Sequence, residues 1–364
     1  MRLHAIRAFE GDCLLLESGG GEAKYVLVDG GPDGTFEDHL KPYLEATIPG
    51  GRLEAVIVSH VDRDHIVGVL DLFAELNRQR IDGEDPLISP AELWHNSFSD
   101  AIDDDEDTIA KGVRMVLANA GVASTIMTDV PIAFFGIAEG ERLRREARLL
   151  HIPINRTFGG ELICPDLLPN PALEIGGMRM TVIGPTDANL RALQEEWLEW
   201  IRRNRTAARP EQLANADKSI PNLSSIVLLV EEDGRSLLLT GDARGDHIEQ
   251  GLDQAGLRPD GTFHVNVMKL QHHGSDRNAT RTFFRRNTAD AYVASANGKH
   301  GNPDYETLVW IVEEAHAAER AIEIVATNDA PSIQRIRQTH PEADFGYRLR
   351  LPGDDDHAVI VELT

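Results

Sequence analysis

Four acidic or imidazole side chains are crowded into six residues near position 60 of this sequence. The stretch reads His60-Val61-Asp62-Arg63-Asp64-His65 and follows the apolar run Ala55–Val58. Without a cation, carboxylates and imidazoles at this spacing would repel one another or stay unsatisfied. Histidine and aspartate are ligand types of zinc-like and manganese-like ions. The spacing therefore predicts a metal site directly after a buried strand.

The same arrangement, an acid or a histidine just past an apolar strand, recurs along the chain. The further residues in such positions are Asp29, Asp242, His272 and His273. Strand ends are where sites are assembled in layered α/β folds. Adjacent ligands such as Asp64 and His65 point in different directions, so one turn can serve two ions, and the carboxylate of Asp242 can bridge them. Taken singly, each Asp or His is more often a turn, capping or structural residue, so the combination carries the prediction.

The elements predicted from the apolar pattern place these side chains in a layered fold. Strand-like runs and turns occupy the first 60 residues, and helical periodicity follows over Ile66–Leu76. We predict one α/β domain over 1–364, with a core of about 1–76 and 220–364. The less regular stretch of about 77–219 is predicted to be an insertion that covers this core. It includes a predicted helix over Ile109–Ala120 and leads into a predicted surface loop over 206–222.

Composition limits the partners. The 364 residues carry 36 Lys+Arg against 60 Asp+Glu, a formal charge of −24. Nonspecific duplex DNA binding is therefore disfavoured, because it needs a basic face. Two cysteines, Cys13 and Cys164, make no disulfide scaffold and suit a reducing compartment. The charged start lacks a signal-peptide pattern and the apolar runs are too short to span a bilayer, so we expect a cytoplasmic protein without membrane contact.

These motifs, in this order, resemble those of the metallo-β-lactamase superfamily, and within it the hydrolase part of ComEC-type competence proteins. Residues 60–65 correspond to the motif His-x-His-x-Asp-His, with Asp62 in place of the middle His as in ComEC-type members. Asp29 corresponds to the first motif, Asp242 to the bridging carboxylate and His272-His273-Gly274-Ser275 to the last histidine motif. Residues 295–303 are similar to the Asn-rich loop of that group. The resemblance implies an αββα four-layer sandwich with a long insertion.

The resemblance also implies two divalent ions, Zn²⁺ or Mn²⁺. Their implied ligands are His60, Asp62, Asp64, His65, Asp242, His272 and His273. Asn222 stands where the superfamily has its third-motif histidine, which leaves the ion near His60 and Asp62 one donor short. Of the two adjacent histidines we favour His272 as the ligand, because it comes first after the strand, and expect His273 to face substrate. Asp29 is expected to orient a ligand histidine.

The function implied is that of a metal-dependent hydrolase, foremost a phosphodiesterase or nuclease. Two ions hold a bridging water and lower its pKa, which generates a hydroxide for attack. The residues expected to act on the substrate are Asp64, His273, Lys299 and His300. The expected substrate is a phosphoester or nucleotide, and the charge disfavours a long nucleic acid unless a basic patch is local. An acyl hydrolase on the same fold, and a non-catalytic metal-binding accessory protein, are the alternatives.

Other side chains have two interpretations. His95 is either a remote ligand or a structural residue at a strand end, and the second interpretation is favoured. Two groups of arginines could form a basic patch or could be solvated helix faces paired with acids. They are Arg202, Arg203, Arg205 and Arg209, and, after the histidine pair, Arg277, Arg281, Arg285 and Arg286.

Overall fold

The computed structural model describes residues 1–96, 115–116, 133–204, 206 and 224–363, whose strands form two sheets. Asn222, Arg205 and Arg209, together with most of the predicted helix over Ile109–Ala120 and of the predicted loop over 206–222, lie outside these residues.

The first sheet takes its strands mainly from the N-terminal part of the chain. Its strands are β1 (Arg2–Ile6), β2 (Leu14–Glu17), β3 (Tyr25–Val28), β4 (Arg52–Val58), β5 (Ser89–Pro90), β6 (Leu93–His95) and β15 (Ala358–Glu362). The order is β15-β1-β2-β3-β4, and both β5 and β6 pair with β4. Strand β4 pairs in parallel with β3, β5 and β6. The pairs β15–β1, β1–β2 and β2–β3 are antiparallel.

The second sheet contains the remaining strands of the described ranges. They are β7 (Ala172–Ile175), β8 (Met178–Gly184), β9 (Val227–Glu232), β10 (Arg235–Leu239), β11 (Phe263–Lys269), β12 (Asn287–Ala294), β13 (Ile322–Ala326) and β14 (Tyr347–Arg350). They lie in reverse order from β14 to β7. The pairings from β10 to β14 are parallel, and those from β7 to β10 are antiparallel.

Helices cover the outer faces of both sheets. The α-helices of the described ranges are α1 (Lys41–Thr47), α2 (Arg63–Asp82), α3 (Ala133–Leu149), α4 (Asp187–Asn204), α5 (Gly245–Gln254), α6 (Arg281–Arg286), α7 (Tyr305–Ala317), α8 (Pro331–Thr339) and α9 (Glu342–Phe345). None of the helices in these ranges is long and apolar enough to cross a membrane.

Three apolar clusters show the layers. Val26 on β3 packs between the sheets with residues such as Val230 of β9, whereas its neighbour Leu27 packs outward among the residues of α1 and α2. A third cluster joins the other face of the second sheet to α6, α7 and α8. Successive strand residues point to opposite faces, so strands covered on both faces are apolar throughout. The αββα four-layer sandwich expected from the resemblance is confirmed.

Part of the predicted insertion contributes strands to the sheets. Strands β5 and β6 extend the first sheet, and the hairpin of β7 and β8 extends the second beside β9. The division into a core of about 1–76 and 220–364 with an insertion at about 77–219 stays a prediction.

Parallel pairing places the ends of the central strands at one edge of the sandwich. There β3 and β4 end at Val28 and Val58, and β10 and β11 end at Leu239 and Lys269. The two sheets are joined at this edge by the amide of Ile226, which donates to the Ser59 carbonyl at 2.9 Å. The motif residues therefore come from both sheets to one place.

Candidate metal centre

Seven side chains meet where the two sheets join, and we call them the floor residues. They are His60, Asp62, Asp64, His65, Asp242, His272 and His273. Asp242 lies at their centre: its Oδ1 is 3.2 Å from His65 Nε2, and its Oδ2 is 3.6 Å from His273 Nε2. The Nε2 atoms of His272 and His60 are 3.7 and 3.8 Å from the same Oδ2. Four imidazoles thus direct the same type of nitrogen at one carboxylate.

The two remaining carboxylates each lie beside a different histidine. Asp64 Oδ2 is 3.3 Å from His273 Nε2, and Asp62 Oδ2 is 3.7 Å from His60 Nε2. These contacts pair Asp64 with His273 and Asp62 with His60, and for the description that follows we group His65 with the first pair and His272 with the second. We call Asp64, His65 and His273 the Asp64 half, and Asp62, His60 and His272 the Asp62 half.

An unusual backbone lets the adjacent histidines reach the same carboxylate. His272 and His273 both adopt left-handed conformations, with φ of 47° and 56°, and Gly274 follows with φ of 87°. Such angles are uncommon for residues with a Cβ and concentrate at functional sites. The turn sets the two rings at 85° to one another. His273 is enclosed, whereas 32% of the His272 side chain is exposed.

Each imidazole is held from behind through its Nδ1 atom. In the Asp64 half, His65 Nδ1 lies 2.8 Å from Asp29 Oδ2. Asp29 accepts hydrogen bonds from the amide and the hydroxyl of Ser59, both at 2.7 Å. This is the place predicted for an orienting carboxylate.

The Asp62 half has neutral groups in the corresponding places. His60 Nδ1 lies 3.1 Å from the hydroxyl of Ser59. His272 Nδ1 lies 2.9 Å from the side-chain oxygen Oδ1 of Asn278. The side-chain nitrogen Nδ2 of Asn278 donates to the backbone carbonyl of Asp242 at 3.1 Å.

Two residues that the sequence analysis did not single out complete the centre. Asp12 Oδ1 lies 3.2 Å from His273 Nδ1, and the other oxygen of Asp12 contacts the ammonium of Lys269. Both side chains are about 1% exposed. Asp12 stands in the turn between β1 and β2, and Lys269 is the last residue of β11. The rule that an acid near a strand end is a candidate would have included Asp12, and a lysine directly after the apolar pair Val267-Met268 was the available signal for Lys269.

Asp12 groups spatially with His65, Asp242 and His273 as a possible metal-binding set. Its carboxylate nevertheless faces the Nδ1 atoms of His65 and His273, at 3.8 and 3.2 Å, whereas Asp242 faces their Nε2 atoms. Asp12 therefore lies behind the imidazoles rather than among the groups that converge on Asp242.

The charged groups of the floor strongly shift the pKa values of their neighbours. Burial opposes the charge of His273, but Asp242 and Asp12 outweigh it and raise its pKa to about 9. In the same way Asp242 and Asp29 hold the pKa of His65 well above its usual value. Burial would raise the pKa of Asp12, yet Lys269 and His273 lower it to about 2. The pKa of Asp242 lies well below its usual value, because the surrounding histidines overcome its burial.

The floor fits a divalent cation. Several of its buried polar atoms have no hydrogen bond of acceptable geometry within the described part of the chain, which is costly unless another partner is present. They are His60 Nε2, Asp62 Oδ1, His65 Nε2, Asp242 Oδ1 and His273 Nε2. All five are nitrogen or carboxylate oxygen atoms, the donors that zinc and manganese accept. The donor set thus suits the ions expected from the sequence.

The floor opens into a cleft of about 800 Å³. Lys299, His300 and Arg277 line its rim, and Lys299 pairs with Glu10. The structure thus brings Lys299 and His300 to the same cleft as Asp64 and His273, while their catalytic roles stay predictions.

The other candidates lie elsewhere. Arg281 and Arg285 pair with Glu313 and Glu314 of α7, which fits the interpretation of a solvated helix face. His95 is buried on β6, and its backbone is held by Asn155.

Comparisons with known proteins give one family match and several similar structures. The sequence model of the Metallo-beta-lactamase superfamily matches residues 6–77. No curated protein matches the chain. Among solved structures, it is similar to a new diphosphatase from the PhnP family, with 13% identity, 97% of this chain and 84% of that chain covered, and a TM-score of 0.39.

Two metallo-beta-lactamases are also similar. A mutant of the enzyme from Cronobacter sakazakii is 10% identical, with 93% and 95% of the two chains covered and a TM-score of 0.34. SMB-1, in a structure bound to 2-mercaptoethanesulfonate, is 11% identical, with 86% and 93% covered and a TM-score of 0.30. The family match runs from the last residue of β1 into α2, and thereby includes the stretch from Asp12 to His65 of the centre.

Proposed function

We propose that this protein is a metal-dependent hydrolase that cleaves phosphoesters, foremost phosphodiesters in small nucleotide-like substrates. The observation that carries the proposal is the convergence of unsatisfied, buried nitrogen and carboxylate donors on Asp242 at the bottom of a cleft whose rim carries Arg277, Lys299 and His300. Bound there, two divalent ions would activate a water for attack and stabilise the charge that develops on the substrate.

The geometry supports an assignment of the ligands to two ions that share Asp242. Asp64, His65 and His273 would hold one ion, because Asp64 and His273 face one another at 3.3 Å. The residues of the Asp62 half would hold the other, and His272 supplies the donor that Asn222 leaves open. In this assignment His273 binds an ion rather than facing substrate, and both histidines are ligands.

The rim residues would bind the substrate and protonate its leaving oxygen. Lys299 and Arg277 place two cations above the floor, where they would bind the phosphate oxygens that the ions do not. His300 lies in the same rim and would donate the proton to the leaving oxygen. Asp64 and His273 would act through the ion that they hold.

The charge of the cleft favours a small substrate. Its lining contains seven carboxylates, those of Glu10, Asp33, Asp62, Asp64, Asp242, Asp276 and Asp304, against the three cations Arg63, Arg277 and Lys299. Two divalent ions would bring this balance to zero. One phosphodiester is then accommodated, whereas a long polyanion would meet the acidic surface of a chain with charge −24.

The test is hydrolysis after removal and return of metal. Chelator-treated protein should be inactive on bis(4-nitrophenyl) phosphate and recover with Zn²⁺ or Mn²⁺, and it should cleave dinucleotides faster than long single-stranded DNA. Arg281→Ala, a charge change outside the cleft lining, serves as the control and should leave turnover unchanged.

Two results would contradict the proposal. Turnover of lactones or thioesters with inert phosphodiesters would indicate an acyl hydrolase. Stoichiometric metal without turnover of either substrate class would indicate an accessory protein whose metal is structural.

A further inference from the structure

We infer that the buried Asp12–Lys269 pair is a positioning device that orients His273 and limits the negative charge of Asp242, and thereby sets the metal affinity of the floor. The inference rests on the proposed metal centre and concerns residues that do not themselves bind the ion.

Asp12 contacts all three residues of the Asp64 half. Its carboxylate lies 3.2 Å from His273 Nδ1 and 3.8 Å from His65 Nδ1. Its backbone amide donates to the carbonyl of Asp64 at 3.1 Å. A carboxylate that accepts from Nδ1 fixes the tautomer whose Nε2 lone pair is available to a metal.

Gly11 brings Asp12 this close. A Cβ at Gly11 would lie 1.9 Å from the carbonyl oxygen of Asp64, so a side chain there would push the β1–β2 turn away. The carbonyl of Gly11 also accepts the hydroxyl of Ser295 at 2.6 Å. The carbonyl of Ser295 in turn lies 3.1 Å from His273 Nδ1, so turn and histidine are held by the same residue.

Lys269 connects Asp12 to the bridging carboxylate. Its ammonium contacts Asp12, donates to the Gly241 carbonyl at 3.2 Å and lies 4.0 Å from Asp242 Oδ1. Of the three donors of a lysine ammonium, Asp12 and the Gly241 carbonyl take two, and the oxygen of Asp242 lies beyond hydrogen-bond distance. Buried lysines are rare unless paired, so a lysine in this place points to a defined electrostatic role.

Asp12 and Lys269 have opposite effects on the binding of a cation. Asp12 favours cation binding through His273, whereas Lys269 opposes it near Asp242. If Asp12 loses its charge, Lys269 is left without its main partner and competes with the ion for Asp242. Neutralising both residues removes that competition.

The experiment is a set of Co²⁺ titrations, followed by the visible absorption of the bound ion, on wild type, Asp12→Asn, the double variant Asp12→Asn/Lys269→Met and Glu17→Gln. Asp12→Asn should weaken Co²⁺ binding by about 10- to 100-fold and change the cobalt spectrum. The double variant should recover most of the lost affinity. Glu17→Gln breaks another buried contact, 2.9 Å from His4 Nε2, and should leave cobalt affinity unchanged.

The outcomes separate the role of the pair from a structural one. Thermal unfolding of the metal-free proteins checks that each variant folds, and the charge-neutral double variant serves if the single variant does not. Wild-type affinity in Asp12→Asn, or a double variant as weak as the single one, would overturn the inference alone. A wild type that binds no Co²⁺ would overturn both the inference and the proposed function.

Discussion

The two halves of the floor have the same composition but different support. Each combines one aspartate and two histidines around Asp242, yet the Asp64 half has carboxylates behind its imidazoles, Asp29 and Asp12, whereas the Asp62 half has the hydroxyl of Ser59 and the amide of Asn278. A carboxylate behind a ligand histidine raises its basicity and fixes its orientation. If both halves bind an ion as we propose, this difference in support predicts unequal affinities, and we expect the Asp64 half to bind its ion more tightly.

The largest effect is expected from the residue that both halves share. Asp242→Ala should abolish metal binding in both halves, and the loss of phosphodiester turnover should exceed the roughly 100-fold that follows from removing a supporting residue. Metal content per chain and turnover are the measurements. A variant that keeps two ions would show that Asp242 is not the bridge.

The supporting residues test the difference directly. Asp29→Asn should weaken the tighter of two resolved metal-binding steps by about 10- to 100-fold. Asn278→Ala should weaken the other step by a smaller factor, because a neutral partner is lost. Calorimetric titration with Zn²⁺ resolves the two steps. Equal effects of the two substitutions on both steps would remove the distinction between the halves.

When no metal is bound, protonated histidines balance the negative charge of the Asp64 half. The folded chain raises the pKa of His273 to about 9, whereas in the unfolded chain histidine titrates near about 6.5. The stabilisation is therefore fully present below about pH 6.5 and is lost as the pH rises to about 9, on the order of 3 kcal/mol. Urea unfolding of chelator-treated protein should show this decline, and His273→Gln should reduce it, because only the contribution of His65 then remains. A metal-free wild type that grows more stable over this range would contradict the assignment.

The smallest effect is expected at the rim, where the side chains are solvated. Lys299→Ala should raise KM by about fivefold or less while kcat and metal content stay near wild type, because an exposed cation contributes only about 1 kcal/mol. Arg281→Ala, whose partners are Glu313 and Glu314, should change neither constant. A large loss of metal in Lys299→Ala would show that rim and floor are not separate.

Local spacing singles out the residues that meet in the floor, whereas the residues behind them depend on tertiary contacts. The run from His60 to His65 carries its signal within six residues, and the strand-end pattern points to Asp242 and His272; their role as metal ligands stays a prediction. Asp12, Lys269 and Asn278 were missed because each is a single polar residue whose burial depends on chain segments far away in sequence. Asp12 meets His273, which is 261 residues later.

The fold shows the same division. The helix predicted over Ile66–Leu76 lies within α2 (Arg63–Asp82), because its helical periodicity is visible in the sequence. The hairpin of β7 and β8 was missed, although Gly176-Gly177 between two apolar runs is a turn signal. The outer strand Ala172–Ile175 is only partly buried, so its sequence has no strong apolar pattern that would predict a strand.

The most direct test of the account is an anomalous-scattering map at the zinc edge from crystals grown with Zn²⁺. We expect two peaks on either side of Asp242, each about 2.0–2.2 Å from one of its oxygens, with His65 and His273 beside one peak and His60 and His272 beside the other. At limiting zinc the peak beside Asp64 should appear first. A map with no peak within reach of Asp242, while His65 keeps its direct contact with that carboxylate, would contradict the claim that cations hold these residues together.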